Sequence, residues 1–456
     1  MLERQLLGLA IGFIIMLTLI LRSKLSAFPS LIIGALTTGI IAGLPALKVA
    51  EEIAKGFGNT MMNIGIVIGL GIMLGKILEV SGAAKTMAIT LLRLLGKGKE
   101  EWAMAGTGYL ISIPIFSDSG FIILYELAKA ISYYTKKSVV GITYALAIGL
   151  TATHNMVPPT PGPLAVASEF KVDLGIMIFY GCIVALPMAV AGVLLAGWVG
   201  RRVYQVPDEN GNWVRDRSLM GKSLPSDAMK EQAKGLPSAW RSFLPLLLPI
   251  ILILSQTVTK AVIGGTNTNS FVARVMLLLG TPYVAILVSL IVGLFLLAAD
   301  KSRVEVSKML GDAMNSAGMI VFVTAGGGAL GNVIRVSGIG EALGQVMLNS
   351  NIPILLLPFL IATLIKIAQG SSTVAVITSA AITAPLFSHL NMNPVLPALS
   401  ACAAGGTLSH LNDSFFWLFA KMNGLTETET LWTYSFPKCV EGVVGIITVF
   451  ILSMFI

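Results

Sequence analysis

Twice in this chain an apolar run that could enter a membrane is cut in its middle by small polar residues. The later instance is Ser371-Ser-Thr373, inside Lys366-Ile-Ala-Gln-Gly-Ser-Ser-Thr-Val-Ala-Val-Ile-Thr378, with apolar arms at 352–367 and 374–387. Neither arm reaches the roughly 20 residues that a spanning helix needs. The pair therefore reads as a re-entrant hairpin over about 352–388, its tip near the membrane midplane. Non-helical backbone at that depth must be buried in protein or line a watery cavity, so such a tip is a place to bind a solute. The earlier instance is Ile113-Pro-Ile-Phe-Ser-Asp-Ser-Gly-Phe121, in a hairpin over about 101–132. Broken hydrophobic segments in corresponding halves of a chain point to a transporter's binding site.

The composition agrees with a membrane protein. Of 456 residues 55% are hydrophobic and 12% charged, with mean hydropathy +0.84. These values exclude an ordinary soluble domain. Residues 5–21 are apolar, with neither a basic stretch before them nor a small-residue cleavage site after them, and read as a first span rather than a cleaved signal. The net charge of +8 falls largely in a few loops, as membrane topology requires, and does not point to nucleic acid. Cys182, Cys402 and Cys439 lie in or beside apolar segments without a pairing or metal pattern, and read as small buried residues.

The expected fold is an all-α polytopic membrane protein of two inverted repeats. Spans fall near 5–22, 28–44, 61–80 and 174–198 in the first half, and near 243–263, 282–299, 313–334 and 439–456 in the second. An amphipathic stretch at 81–99 precedes the first hairpin. Each half adds one discontinuous span. The first, Val139–Met156, runs into Thr153-His-Asn-Met-Val-Pro-Pro-Thr-Pro-Gly-Pro163, where five helix breakers end it before 164–170 completes it. The second starts near 394 and breaks at Ser409-His-Leu-Asn-Asp-Ser414. Residues 1–199 and 243–456 form the repeats. Residues 200–242, with eight Lys and Arg against five Asp and Glu, are read as a solvated cytoplasmic linker without chemistry of its own.

An internal match supports the repeat. Leu74-Gly-Lys-Ile-Leu-Glu-Val-Ser-Gly82 shares five of nine positions with Leu330-Gly-Asn-Val-Ile-Arg-Val-Ser-Gly338, at an offset of 256. The same offset aligns Ala147-Ile-Gly-Leu-Thr-Ala-Thr-His154 with Ala403-Ala-Gly-Gly-Thr-Leu-Ser-His410. The hairpin tips slip by a few residues in this register. Five spans per half is an odd number, so the second half enters the bilayer upside down. Lysine and arginine counting places the loops at 22–27, 81–100, 133–138, 200–242 and 300–310 in the cytoplasm and both termini outside.

The tips and breaks bring four polar clusters to one depth: Ser117, Asp118 and Ser119; Thr153, His154 and Asn155; Gln369, Ser371, Ser372 and Thr373; and Ser409, His410, Asn412, Asp413 and Ser414. Helix N-termini at the tips favour an anion. The hydroxyls and amides suit a polyhydroxylated solute. Asp118 and Asp413 read as intramembrane carboxylates, functional by default, and are the candidates to carry a proton. Glu126, two turns beyond Ser119, is a weaker one. Lys366 either attracts an anion or pairs with a carboxylate, and pairing is the favoured reading. His154 and His410 bind the solute or shuttle protons, whereas His389 is read as structural. Gly326-Gly-Gly328 reads as a close helix-packing site. No nucleotide loop, metal spacing or nucleophile motif occurs, so no cofactor and no enzymatic activity are expected.

At Phe116-Ser-Asp-Ser-Gly120, Thr153–Pro163, Gln369-Gly-Ser-Ser-Thr-Val-Ala375 and Ser409-His-Leu-Asn-Asp-Ser-Phe-Phe-Trp417 the chain resembles the gluconate permease family of bacterial proton symporters, within the ion transporter superfamily. The resemblance covers essentially the whole chain. It implies uptake of gluconate or a related sugar acid with a proton across the bacterial inner membrane. D-serine or another small hydroxy acid is the alternative substrate, and Na⁺ the alternative coupling ion. Sodium-coupled relatives carry Asn where this tip has Asp118, which leans the coupling ion toward H⁺. Relatives in the superfamily are homodimers with a static scaffold and a moving transport domain, which implies an elevator motion.

Overall fold

The computed structural model of the protein describes residues 2–23, 25–220, 235–339, 342, 353–388 and 390–456. Helices α1 (Leu2–Leu21) and α2 (Ala27–Ala42) pack along each other and lead into α3 (Ala46–Val80). At 1.5 Å per residue α3 is roughly 52 Å long, more than a bilayer core is thick. It starts well before the span expected at 61–80. Gly82, at φ +77°, turns the chain into the short amphipathic α4 (Ala83–Leu95).

The first hairpin is α5 (Glu100–Ile111) and α6 (Ser117–Thr135), joined by residues 112–116. Then comes the broken span, α7 (Val139–Met156) and α8 (Pro161–Glu169), with the stop falling at the prolines as expected. Every residue of α7 except His154 is buried, so it is an interior helix with no lipid-facing stripe. Helix α9 (Leu174–Arg202) closes the first half.

The linker departs from its expected solvation. Tyr204, Gln205 and Val206 are buried, and a two-stranded ribbon, β1 (Val206–Pro207) with β2 (Trp213–Val214), follows. Arg215 reaches Glu429 at 2.6 Å. Counting charges identified a polar loop, but not the apolar Val203-Tyr-Gln-Val206 that ties its start to the helical body. The remainder of this loop, 221–234, and His389 lie outside the described residues.

The second half opens with α10 (Ala239–Ile263). A short helix that periodicity did not single out, α11 (Phe271–Leu279), meets α12 (Pro282–Leu297) at a 77° bend. Gly280 and Pro282 stand at that bend, where a helix is easily interrupted. Helix α13 (Arg303–Val336) is the second long helix and packs along α3. A β-carbon on Gly328 would lie 1.8 Å from the Thr60 hydroxyl, so this glycine run is a close-packing site.

The second hairpin is α14 (Leu356–Gln369) and α15 (Ser372–Phe387). The broken span is α16 (Val395–Ala403), a single 3-10 turn, and α17 (Ser414–Asn423). The last helix, α18 (Glu427–Leu452), starts about twelve residues earlier than the expected span at 439–456. Thr426-Glu-Thr-Glu429 forms a capping box, a readable start signal that hydropathy alone passes over. Its residues 431–435 form a π-helical turn.

Shifting the starts of α2, α3, α5, α6 and α7 by the 256-residue offset lands within one residue of those of α12, α13, α14, α15 and α16. Among the described residues six helices are long and apolar enough to cross a membrane, and the bent α11–α12 pair adds a seventh candidate. The fold is thus a helical, multi-pass membrane fold with broken helices in its interior.

Candidate functional site

Both hairpin tips and both helix breaks line one cavity of about 300 Å³. That volume is at the small end for a ligand site. Hairpin one contributes Phe116, Ser117 and Asp118; hairpin two contributes Gln369, Gly370, Ser371, Ser372 and Thr373. The breaks add Thr151, His154 and Asn155 on one side and Asn412, Asp413, Ser414 and Phe415 on the other. Tyr434 and Lys438 of α18 complete it.

Three helices begin at this cavity. Helix α6 starts at Ser117. Helix α15 is capped by Ser371, whose hydroxyl accepts the Val374 N–H at 3.3 Å. Helix α17 is capped by Asp413, whose carboxylate accepts the Phe415 N–H at 2.9 Å. Unsatisfied N–H groups in a first turn carry partial positive charge, so three converging N-termini favour an anion. Asp118 of the first tip lines the cavity together with Ser117 and with Ser414 of the second break.

The second tip is locked to its break. Gly370 sits at φ +90°, and a β-carbon there would lie 2.1 Å from the Asn412 carbonyl oxygen. Glycine meets both demands, the left-handed backbone and the close approach. His410 Nε2 and Asn412 Nδ2 each lie 2.8 Å from the Ile367 carbonyl oxygen, and Ser372 Oγ donates to Gly405 at 3.3 Å. Lys366 Nζ, wholly buried, donates to the carbonyls of Gly405 and Thr407 at 2.5 and 2.9 Å. Its expected pairing with a carboxylate is therefore corrected. The 3-10 turn ends a helix and frees carbonyls, and these take the ammonium.

Not every expected residue reaches the cavity. Ser119 lies one step along α6 and lines a separate cleft with Lys76, Glu79 and Asp312. Thr153 is buried behind the cavity, its hydroxyl on the Gly149 carbonyl. Ser409 donates to the Asp413 carboxylate, and His410 serves the tip contact just described. Glu126 is exposed on α6 and lines none of this cavity. For Ser119, Thr153 and Glu126 these are corrections of helical phase, because residues contiguous or near in sequence on a helix point in different directions. Ser409 and His410 lie in the non-helical break itself.

Sequence reasoning missed Thr151, Tyr434, Lys438 and, just behind them, Glu441. Lys438 and Glu441 are 2% and 0% exposed and form an ion pair. Thr151 Oγ1 lies 3.0 Å from both Glu441 oxygens. Tyr434 comes from the π-helical turn and stacks on Phe419 at 4.9 Å and 21°. A lysine and a glutamate three apart within an apolar helix was an available signal. A span placed from 439 onward left Lys438 outside it.

Interior helix breaks, re-entrant hairpins and a polar cavity where they meet define a membrane transporter. The solved YdaH transporter of Alcanivorax borkumensis has the same fold, with TM-score 0.66 and 15% identity over 94% of this chain and 98% of that one. A Haemophilus influenzae protein described as an uncharacterized permease is 37% identical over 98% of this chain and 92% of its own length. The Gnt-II system L-idonate transporter of Escherichia coli is 30% identical over 98% of both chains, and the gluconate permease of Pseudomonas aeruginosa 33% over 97% and 96%. The profile of GntP family permeases matches residues 4–455. The chain belongs to that family, and is a multi-pass transporter of the bacterial inner membrane.

Proposed function

We propose that the protein is a secondary active symporter that takes up a small hydroxylated carboxylate, gluconate or a related sugar acid, together with a proton. The observation that carries this reading is the cavity itself, where three helix N-termini and Lys438 meet the hydroxyls and amides of Ser117, Asn155, Gln369, Ser371, Ser372, Thr373, Asn412 and Ser414. The positive features suit a carboxylate, and the hydroxyls and amides suit a polyol chain. Relatives named for gluconate and L-idonate support the same class. The cavity offers carboxylates for a proton, Asp118 and Asp413 in its lining and Glu441 just behind it. They equally suit an ammonium group, which is why D-serine stands as the second reading.

Alternating access follows from two halves of opposite orientation, as an odd number of spans per half requires. The moving part comprises the hairpins and broken spans, and it slides on α3 and α13 as an elevator within a homodimer. Two close contacts, at glycines related by the 256-residue offset, support this division. A β-carbon on Gly75 of α3 would lie 2.5 Å from the Pro114 carbonyl of the first tip, and one on Gly331 of α13 would lie 3.0 Å from the Glu169 carboxylate of α8 and 3.2 Å from the Ala381 carbonyl of the second hairpin. Surfaces without side chains at a contact present little to catch on during sliding.

Purified protein in liposomes tests the function. An inward proton gradient should concentrate labelled gluconate inside. Unlabelled sugar acids, rather than D-serine, should compete. Equilibration without accumulation would make the protein a channel, and competition by D-serine alone would move the substrate to the hydroxy amino acids.

A further inference from the structure

The cavity holds a charge pair that binding a carboxylate must disturb. Lys438 is the one Lys or Arg among the described residues that line it. Its ammonium is already committed to Glu441, which lies behind the lining and is wholly buried. Thr151 also lines the cavity and touches both Glu441 oxygens at 3.0 Å. Hydrophobic replacements of buried ion pairs are often neutral or stabilising, so such a pair is weak evidence for a stability role. Ionisable residues at this depth in a membrane protein mark function.

Resting on the symporter reading above, we propose that Glu441 carries the coupled proton and that Lys438 is shared between Glu441 and the substrate carboxylate. The arriving carboxylate takes the Lys438 ammonium as its counter-ion. Glu441 then faces two costs together, a lost partner and a second negative charge nearby, in a site that water hardly reaches. It takes one proton from the aqueous side that the cavity faces. The proton adds to one carboxylate oxygen as an O–H group, which can donate to Thr151 Oγ1 while the Thr151 hydroxyl donates to the Ala147 carbonyl, 2.9 Å away. Substrate and proton leave the cavity with its original net charge. Release reverses both steps, and the ion pair re-forms.

The neighbours of Glu441 fit this role. Lys438 and Thr151 contact Glu441 directly, and Tyr434 and Cys439 on its own helix, Tyr144 on α7 and Lys366 on α14 lie within electrostatic reach of it. Lys366 is held by two carbonyls and does not compete for the substrate. Asp413 and His154 are also within electrostatic reach of Lys438. Asp413 already caps α17 and accepts from Ser409, which leaves Glu441 as the carboxylate whose partner the substrate takes.

The test measures labelled gluconate binding and transport by full-length protein in liposomes across a pH series. One proton bound per substrate makes wild-type affinity strengthen about tenfold per pH unit as pH falls through the coupling range. Glu441→Gln should flatten that dependence and abolish gradient-driven accumulation while exchange of labelled for unlabelled gluconate persists. Glu441→Asp should restore a pH dependence. Thr151→Val, close to isosteric, should move the pH at which affinity changes, and it keeps the test open if the Gln variant does not fold. A Gln variant with wild-type pH dependence and accumulation overturns the proposal, as does a Thr151→Val variant with an unmoved midpoint. Wild-type protein that fails to bind or accumulate any sugar acid refutes the symporter reading instead, before any variant is compared.

Discussion

Gly370→Ala isolates how firmly the second tip must seat against its break. The left-handed backbone at φ +90° costs an alanine roughly 1–2 kcal/mol. The new methyl group would stand 2.1 Å from the Asn412 carbonyl oxygen, where real contacts stay beyond 3.0 Å. The blocking atom is backbone, bonded next to the residue that caps α17, so it cannot rotate away. The tip must retreat by about 1 Å, and displacements of that order can reduce activity about a hundredfold where geometry is tight. Gly264→Ala is the control. Gly264, also left-handed at φ +69° and a helix C-cap, has nothing within 4 Å, so it carries the backbone cost alone. In liposomes, Gly370→Ala should lower gluconate uptake by about two orders of magnitude while remaining monodisperse in detergent. Gly264→Ala should lose only some thermal stability. Equal behaviour of the two variants would show that the tip–break contact does not position the site.

Alanine at Ser371 removes the α15 cap, a loss of about 0.5–2 kcal/mol, and alanine at Ser372 or Thr373 removes a cavity-lining hydroxyl, whose hydrogen bond to substrate would be worth about 0.5–1.5 kcal/mol. Each should weaken gluconate binding roughly two- to tenfold, and unchanged affinity in all three would remove the tip from the site. Asp118→Asn decides between carboxylates: with Glu441 as carrier, binding weakens but the pH-driven accumulation that remains is still proton-dependent, whereas loss of accumulation with intact exchange hands the role to Asp118. For topology, cysteines at Lys97 and Gly265 in a background lacking Cys182, Cys402 and Cys439 should label from the cytoplasmic and outer sides respectively. Labelling of both from one side would contradict opposed halves.

Hydropathy and helix breakers were enough to locate both hairpins, both broken spans and the serine-rich tips, because a membrane forbids unsatisfied backbone in lipid and so writes each interruption into the sequence as polar residues, Gly or Pro. The internal offset matched the starts of five helix pairs to within one residue, since helix starts are set locally by caps and prolines. Tertiary structure decided which polar atoms face the cavity. Ser117 and Asp118 line it while Ser119 turns to a neighbouring cleft, a difference of helical phase that contiguity conceals. It also decided what Lys366 bonds to, because the carbonyls of Gly405 and Thr407 become available only when α16 ends against the second hairpin. The Lys438–Glu441 pair needed both: its spacing of three is local, but its meaning comes from Thr151 on a helix almost three hundred residues away in sequence, brought within 3.0 Å by packing alone.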